Sequence, residues 1–291
     1  MPDKRLVDAL TELIRRTSSD LPPDVCRAIR AAREAEKKGS AAQNVFVALE
    51  ENIKLARKES TPLCQDTGTN IYFIHYPVGM SEREIRQAAI AATKRACKLS
   101  YLRPNAVDPI TETNSGDNTG VMQPFFHFEQ WNRPHLRFDL MLKGGGCENV
   151  GIQYKLPNAE LGAGRDLEGV RKCVIDAIHQ AQGLGCAPGI VSAVVGGDRT
   201  AGYLLSKELF LRKLGSSNKN PTLDALEKRL MEELNSLKIG PMGFGGKTTV
   251  LGCFLGAAHR LPASYYVSVS YMCWAYRRRS MTYRDGEVRY A

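Results

Sequence analysis

The chain has 291 residues, 43% of them hydrophobic, which is enough for a packed core. Its net charge of +9 comes from Lys and Arg spread along the chain. That spread suits capture of small anions and, without an RNA or DNA motif, does not indicate nucleic-acid binding. No apolar run predicts a membrane span, and the mixed acids and bases at the N-terminus predict neither a secretory signal nor a transit peptide. We therefore expect a cytoplasmic protein whose eight cysteines are reduced thiols.

The first hundred residues show helical spacing of apolar side chains, interrupted by one run of β-forming residues. Ser81, followed three residues later by Glu84, forms a capping box at the start of a helix. The predicted helices are 6–16, 24–37, 43–58 (ended by Pro62) and 81–99, and the predicted strand is Asn70–Tyr76.

Residues 103–124 are rich in Pro, Asn, Asp and Gly and predict a long loop, which favours a functional role in a compact domain. Beyond it, the predicted strands are 125–129, 136–142, 190–195, 250–255 and, as the last strand of the chain, 265–271. The predicted helices are 167–182, 200–213 and 222–237. We expect a mixed α/β fold: a single domain over residues 1–291, with several helices packed on short β-sheets and with glycine loops and cysteines at strand ends.

Three cysteines lie at breaks between elements: Cys64 in TPLCQDTG, Cys186 in GLGCAPGIV and Cys273 in SYMCWAYRRR. Scattered thiolates beside glycine loops suit a cluster held by three protein ligands, which leaves one iron open to a substrate. Cys147, in GGGCEN, is a fourth candidate on the same grounds. A structural zinc protein is an alternative, although the chain has no C-x-x-C pair for a zinc ribbon or a ferredoxin-type site.

The other four cysteines fall mostly within predicted helices and strands, where a thiol usually acts as a small apolar side chain. We expect that structural role for Cys26, Cys97, Cys173 and Cys253.

The glycines Gly144, Gly145 and Gly146 cost backbone entropy, about 0.5–1 kcal/mol each relative to Ala. That cost suits a loop whose main chain a ligand approaches closely and whose N–H groups bind an anion; a tight structural turn is the alternative. The sequence GPMGFGGKTT is not a phosphate loop, because Pro241 stands where that motif requires glycine.

Other polar residues have both a structural and a functional interpretation. Gln65 and Asp66 follow Cys64 directly, where they would orient a hydroxyl and move a proton, but an Asp–Gly turn alone would be structural. Arg103, which precedes a proline, suits bidentate binding of a carboxylate, although most arginines are solvated surface residues. His259 is a candidate general acid or base, and otherwise an ordinary core or surface histidine.

Several long motifs, in the right order, resemble the class I (iron–sulfur) fumarate hydratases. The similarity covers about residues 10 to 280 and is to the N-terminal half, or α subunit, of that family, whose near relative is L-tartrate dehydratase. The motifs are PLCQDTG, LRPNAVDP, KGGGCENVGIQY, GCAPGI, GGDRTAGY, IGPMGFGGKTT and HRLPASYYVSVSYMCWAYRRR.

The resemblance implies an oxygen-labile 4Fe–4S cluster on Cys64, Cys186 and Cys273, with the fourth iron binding the substrate. It further implies that Gln65 and Asp66 contact the substrate. In the same family pattern, Arg103 binds a carboxylate and the glycine loop offers backbone donors. The implied reaction is the reversible hydration of fumarate to L-malate, a step of the tricarboxylic acid cycle.

The family's other catalytic groups, a threonine, a lysine and further arginines, lie in a second domain that finds no match here. The resemblance therefore implies an α subunit that works with a β subunit in a homo- or hetero-oligomer. The alternatives are an L-tartrate dehydratase α subunit or another 2-hydroxy-acid hydro-lyase, and a non-catalytic assembly subunit. GGGCENVGIQY and GGDRTAGY are more similar to the fumarases.

Overall fold

The structure is a computed structural model that describes residues 3–291; Met1 and Pro2, which begin the predicted domain, lie outside it. The chain divides into two compact units, each assembled from segments that are separated in sequence. Among the described residues, the first unit comprises 3–22, Glu51–Gly145 and Arg277–Ala291, and the second comprises Pro23–Glu50 and Gly146–Tyr276.

The described residues form helices and short sheets, which confirms the predicted mixed α/β class. The α-helices are α1 (Lys4–Ser19), α2 (Pro23–Ala35), α3 (Ala41–Glu59), α4 (Glu82–Lys98), α5 (Gly145–Asn149), α6 (Leu167–Ala181), α7 (Arg199–Glu208) and α8 (Pro221–Ser236). The strands are β1 (Thr69–Pro77), β2 (Phe125–Trp131), β3 (Leu136–Lys143), β4 (Ile152–Lys155), β5 (Gly189–Gly196), β6 (Val250–Ala258), β7 (Tyr266–Met272), β8 (Arg278–Arg284) and β9 (Glu287–Tyr290).

The first unit is built on a five-stranded sheet in the order β2-β1-β3-β8-β9. β1 runs parallel to β2, and the other neighbouring pairs are antiparallel. The apolar faces of α1 and α4 pack against this sheet, where Leu10 and Phe138 are fully buried. Ser81 caps α4 as predicted, because its hydroxyl accepts the N–H of Glu84.

The second unit is built on a four-stranded sheet in the order β4-β7-β5-β6. β5 runs parallel to β6, while β7 is antiparallel to both β4 and β5. Its core combines α6 and α8 with the buried faces of the central strands, including Val174, Val191 and Leu230. The loops that carry most of the candidate cysteines leave from one end of this sheet.

Some elements differ from the sequence predictions. The prediction that 265–271 is the last strand is wrong, because β8 and β9 follow it. The only buried apolar residues of β8 are Met281 and Tyr283. Because arginines precede them, the sequence shows too short an alternation of apolar and polar residues to predict a strand. The predicted helix 200–213 ends as an α-helix at Glu208 and continues as a 3-10 turn at Leu209–Leu211. Within residues 3–291, no helix is both long and apolar enough to cross a membrane.

Candidate active site

In the first unit, the turn that follows Cys64 is held by both oxygens of the Asp66 carboxylate. Oδ2 accepts the backbone N–H of Gly145 at 2.8 Å, and Oδ1 accepts the N–H of Gly68 at 3.0 Å. Gly145 begins the helical turn α5 at the end of the glycine loop. The structure therefore joins two of the predicted site segments, the CQDTG turn and the glycine loop, through one carboxylate.

Two arginines hold the same turn through its backbone. Nη1 of Arg277 donates to the carbonyl oxygen of Asp66 at 2.8 Å, and Arg277 is only 1% exposed. Nη1 of Arg103 donates to the carbonyl oxygen of Gln65 at 3.4 Å, and the Arg103 N–H donates to the buried hydroxyl of Thr67 at 3.1 Å. Arg103 and Gln65 are exposed. Sequence reasoning missed Arg277, whose signal, an arginine run, is typical of a solvated surface.

Close backbone approach explains two of the glycines in the first unit. A Cβ on Gly144 would lie 2.7 Å from Asp66 Oδ2, and a Cβ on Gly68 would lie 2.8 Å from the carbonyl carbon of Lys143. Gly68 also has a φ of +80°, which L side chains rarely adopt. Any larger residue would displace the Asp66 carboxylate or separate its turn from β3. Gly146 belongs to the second unit, where a Cβ would have room.

In the second unit, Cys186 lies exposed in a strained turn before β5. Its φ is +57°, a left-handed conformation that costs a non-glycine residue about 1–3 kcal/mol. Two hydrogen bonds hold the turn. The Cys186 N–H donates to the carbonyl oxygen of Gly183 at 3.1 Å, and the Trp274 N–H donates to the carbonyl oxygen of Cys186 at 3.3 Å. Such strain in a turn that carries a candidate ligand favours a functional role.

Strand pairing brings Cys273 to the same end of the sheet as Cys186. Cys273 directly follows β7, and the antiparallel register pairs Met272 with Ile190, near the start of β5. The Cys273 N–H also donates to Sγ of Cys147 at 3.2 Å. Three of the four candidate cysteines are therefore neighbours in this unit.

The buried ring of Tyr271 lies beside these three cysteines. Burial raises the pKa of its hydroxyl well above the usual value, and Cys273, Cys147 and Cys186 raise it further. The ring fits because Gly185 and Gly189 flank the Cys186 turn: a Cβ on either residue would lie within 2.4 Å of ring atoms. The glycines of GLGCAPG thus admit an aromatic ring next to the turn.

All eight cysteines lie within residues 3–291, and none forms a disulfide. Cys173 and Cys253 are buried, as predicted for structural thiols, and Cys26 and Cys97 are half-buried. Burial raises the pKa of Cys97 to about 11 and that of Cys173 to about 12, which makes both poor thiolate donors.

His259 lies far along the second unit's sheet from Cys186 and Cys273. It follows the C-terminal end of β6, and β6 is parallel to β5, so His259 lies at the sheet end opposite to Cys186. There it lines an open cavity of about 550 Å³. The other lining residues are Gly197, Asp198, Arg199, Arg260, Leu261, Ser264 and Tyr266. Within this unit, the structure does not bring His259 to the cysteines.

The donor chemistry fits an iron–sulfur cluster. Thiolates are the ligands that such clusters prefer, and Cys186 and Cys273 place two cysteine side chains at the same end of the sheet. Cys64 belongs to the first unit, so the predicted three-ligand set draws on both units and its convergence stays a prediction. Among residues 3–291, no group of three His, Cys, Asp or Glu side chains is already arranged to hold a metal ion.

The cysteine turns and the Asp66 turn all lie within a region that matches a known protein family. The family model described as fumarate hydratase (Fumerase) matches residues 7–282, and the chain belongs to this family. It is 48% identical over 278 residues to a provisionally named class I fumarate hydratase of Geobacillus stearothermophilus. That alignment covers 94% of this chain but 54% of the relative, so the chain spans about half of that protein's length.

Two further relatives carry a different substrate in their names. The chain is 34% identical to a provisionally named L(+)-tartrate dehydratase subunit alpha of Methanocaldococcus jannaschii, over 94% of this chain and 96% of that one. It is 31% identical to the L(+)-tartrate dehydratase subunit alpha of Escherichia coli K12, over 96% of this chain and 92% of that one. The similarity therefore extends over nearly the full length of both alpha subunits.

Proposed function

We propose that this chain is the iron–sulfur-binding part of a hydro-lyase that interconverts fumarate and L-malate. The observation that carries the proposal is the fixed Asp66 carboxylate, which lies two residues after the candidate ligand Cys64 and accepts backbone N–H groups of the glycine loop and of Gly68. Family membership supplies the reaction class, and the 48% identity to a class I fumarate hydratase favours fumarate.

Cys64, Cys186 and Cys273 would hold a 4Fe–4S cluster, which when bound supplies a Lewis acid for a substrate hydroxyl and carboxylate. Cys147 is assigned a supporting role, because its Sγ accepts the N–H of Cys273 and so orients that residue's backbone. The strained turn of Cys186 presents its thiol at the surface. The buried thiols Cys173 and Cys253 do not take part.

The polar residues of the first unit would bind and orient the dicarboxylate. Each oxygen of Asp66 already accepts one backbone N–H, so the carboxylate has a fixed orientation, and its remaining lone pairs can accept a substrate hydroxyl. Arg103 is exposed and carries five N–H donors, so its contact with Gln65 is compatible with a carboxylate on the same guanidinium. Gln65 is exposed in the same turn and is assigned to the substrate hydroxyl.

A second polypeptide segment would complete this site. The relative from Geobacillus is nearly twice the length of the aligned region, and the tartrate dehydratase relatives are named as alpha subunits. The loop that carries Arg103 exposes apolar side chains: Ile110 is 91% exposed and Val121 is 96% exposed. Exposed apolar residues next to a binding residue favour a partner that covers this loop. We assign that role to a β subunit or a β-type domain in an oligomer.

L-tartrate is the second candidate substrate, favoured by the two alpha-subunit relatives that match over nearly their full length. We also assign the protein to the cytoplasm, because a reducing compartment keeps cysteine thiols available as ligands. Interconversion of fumarate and L-malate would then be a step of the tricarboxylic acid cycle. The test is anaerobic co-expression with a candidate β subunit, followed by assays on fumarate, L-malate and L-tartrate. Turnover of L-tartrate but not of fumarate or L-malate would identify L-tartrate as the substrate. Zinc in place of iron and sulfide in the purified protein would overturn the enzyme proposal.

A further inference from the structure

Within the second unit, a buried carboxylate outside the candidate active site binds the backbone of another loop. Glu36, which follows α2, is 7% exposed. Its Oε1 accepts the N–H of Lys247 at 2.8 Å and that of Thr248 at 2.9 Å, and its Oε2 lies 3.0 Å from the Lys247 N–H. A carboxylate at this depth is costly unless it is hydrogen-bonded, and here backbone donors compensate it.

The sequence of the bound loop, residues 240–249, is adapted to this carboxylate. A Cβ on Gly246 would lie 3.1 Å from both carboxylate oxygens of Glu36 and 2.7 Å from Cβ of Ala42. A Cβ on Gly240 would lie 1.9 Å from the carbonyl oxygen of Gly245, so the loop folds back on itself only with glycine there. The glycines of IGPMGFGGKTT therefore shape a backbone cradle that an internal carboxylate fills.

The same loop supports the turn that carries Cys186. The N–H of Met242 donates to the carbonyl oxygen of Ala187 at 2.8 Å, and the N–H of Gly189 donates to the carbonyl oxygen of Thr249 at 3.1 Å. On the other side of Cys186, a Cβ on Gly183 would lie 2.8 Å from the carbonyl oxygen of Met242. Residues 240–249 therefore contact residues 183–189 both before and after Cys186.

We infer that Glu36 is a positioning residue for Cys186: its carboxylate fixes the loop 240–249, and that loop fixes the strained turn of Cys186. The geometric part stands by itself, while its relevance to iron binding rests on the proposed function. Residue Asn235 anchors the end of the same loop by accepting the N–H groups of Thr249 and Val250, at 2.7 and 3.0 Å. With that end fixed, the effect of removing the Glu36 charge should be confined to the loop and to the cysteine turn.

The test is amide hydrogen exchange, read by mass spectrometry on the chain without cluster. Glu36→Gln keeps the shape of the side chain but turns one acceptor into a donor facing N–H groups. Charge-assisted hydrogen bonds contribute enough that exchange in residues 183–189 and 240–249 should rise about tenfold or more. The matched control is Glu34→Gln, an exposed glutamate on α2, which should change neither segment. Gly246→Ala would disturb the contact between Glu36 and the loop through the new Cβ, and exchange should rise in the same two segments.

Unchanged exchange in residues 183–189 would overturn the inference. A rise in exchange over the whole second unit would mean that Glu36 contributes to general stability, and would also overturn the inference. Loss of folding in both Glu36→Gln and Gly246→Ala would have the same meaning. A separate measurement, iron and sulfide content of the anaerobically reconstituted, co-expressed complex, should fall in Glu36→Gln and not in Glu34→Gln. An unsubstituted complex without iron would refute the proposed function while leaving the exchange result to judge the role of Glu36.

Discussion

Oδ2 of Asp66 and the backbone N–H of Gly145 form a 2.8 Å hydrogen bond between residues that are 79 positions apart in sequence. The bond connects the turn after Cys64 to the start of α5, and the short distance leaves no space for a side chain on Gly144. The glycine loop is therefore required in the folded chain even before a ligand is considered. Its two interpretations, a ligand-binding loop and a structural turn, are compatible, because the same N–H group fixes a carboxylate that we assign to catalysis.

Gly144→Ala should displace the Asp66 carboxylate, since the new Cβ would lie 2.7 Å from Oδ2. We expect kcat of the co-expressed enzyme to fall at least about tenfold, because misplacing a positioned group by a fraction of an ångström has that effect. The measurement is steady-state kinetics on L-malate, with Gly120→Ala as the control, since that exposed glycine has no positive φ and nothing lies within 4 Å of a Cβ there. Equal kinetics in the two variants would contradict the role of the Asp66–Gly145 contact.

Arg103→Lys should weaken dicarboxylate binding and leave the cluster content intact. Lysine keeps the charge but loses the planar fork of donors that matches a carboxylate. We expect KM for L-malate to rise about tenfold, with unchanged iron and sulfide per chain. An exposed arginine in the first unit, Arg83, gives the matched control Arg83→Lys. Kinetics that remain unchanged in the Arg103 variant would remove this residue from the site.

Thiol reactivity should separate the exposed candidate ligand Cys186 from the structural cysteines. The thiolate is the nucleophile, so a raised pKa lowers reactivity at any pH below it. With a pKa of about 11, Cys97 is only about one part in a thousand thiolate at pH 8, and Cys173, at about 12, is less ionised still. Burial raises the pKa of Cys253 even further. In the cluster-free chain, iodoacetamide at pH 8 should modify exposed Cys186 first and the buried Cys173 and Cys253 last, as peptide mass spectrometry would measure. Early modification of Cys173 would contradict its assignment as a buried structural thiol.

Much of this fold follows from local sequence patterns. Helices such as α1 and α4 carry an apolar period of 3.6, and Ser81 marks where α4 begins, so both were predictable without long-range contacts. The cysteines at breaks were visible for the same reason, because prolines and glycines mark the ends of elements. β8 was missed because its alternation depends on two residues among arginines whose stems are buried.

The supporting residues of the site were not predictable in the same way. Arg277 and Glu36 look like ordinary charged residues, and only the folded chain shows that each binds the backbone of a segment 211 residues away. Charge in a sequence indicates exposure on average, and nothing local distinguishes the few charges that fill a backbone cradle. The position of His259 is a topological result: the parallel pairing of β5 with β6 sets the end of the sheet at which it lies.

Cys186→Ser should abolish most cluster binding in the co-expressed complex. Serine keeps the size of the side chain but replaces the soft thiolate ligand that iron–sulfur clusters require. We expect iron and sulfide per chain, together with visible absorbance of the cluster, to fall at least about tenfold. Cys97→Ser is the control, because that half-buried thiol lies within α4 and is assigned no ligand role. Retention of iron by the Cys186 variant would transfer the ligand role to another cysteine, with Cys147 as the first alternative.

Without its β partner, this chain should show little hydro-lyase activity. Isolated and reconstituted with iron and sulfide in the absence of oxygen, it should bind cluster poorly and convert L-malate to fumarate far more slowly than the co-expressed complex. We expect a difference of at least about a hundredfold, because acid–base catalysis and substrate positioning each contribute about two or more orders of magnitude. The Asp66 turn and Arg103 supply only one side of such a site. The measurement is fumarate formation followed by absorbance, with the complex at equal iron content as the control. Comparable rates for the isolated chain would show that the catalytic set is complete within these 291 residues, and the β partner would then be unnecessary for the chemistry.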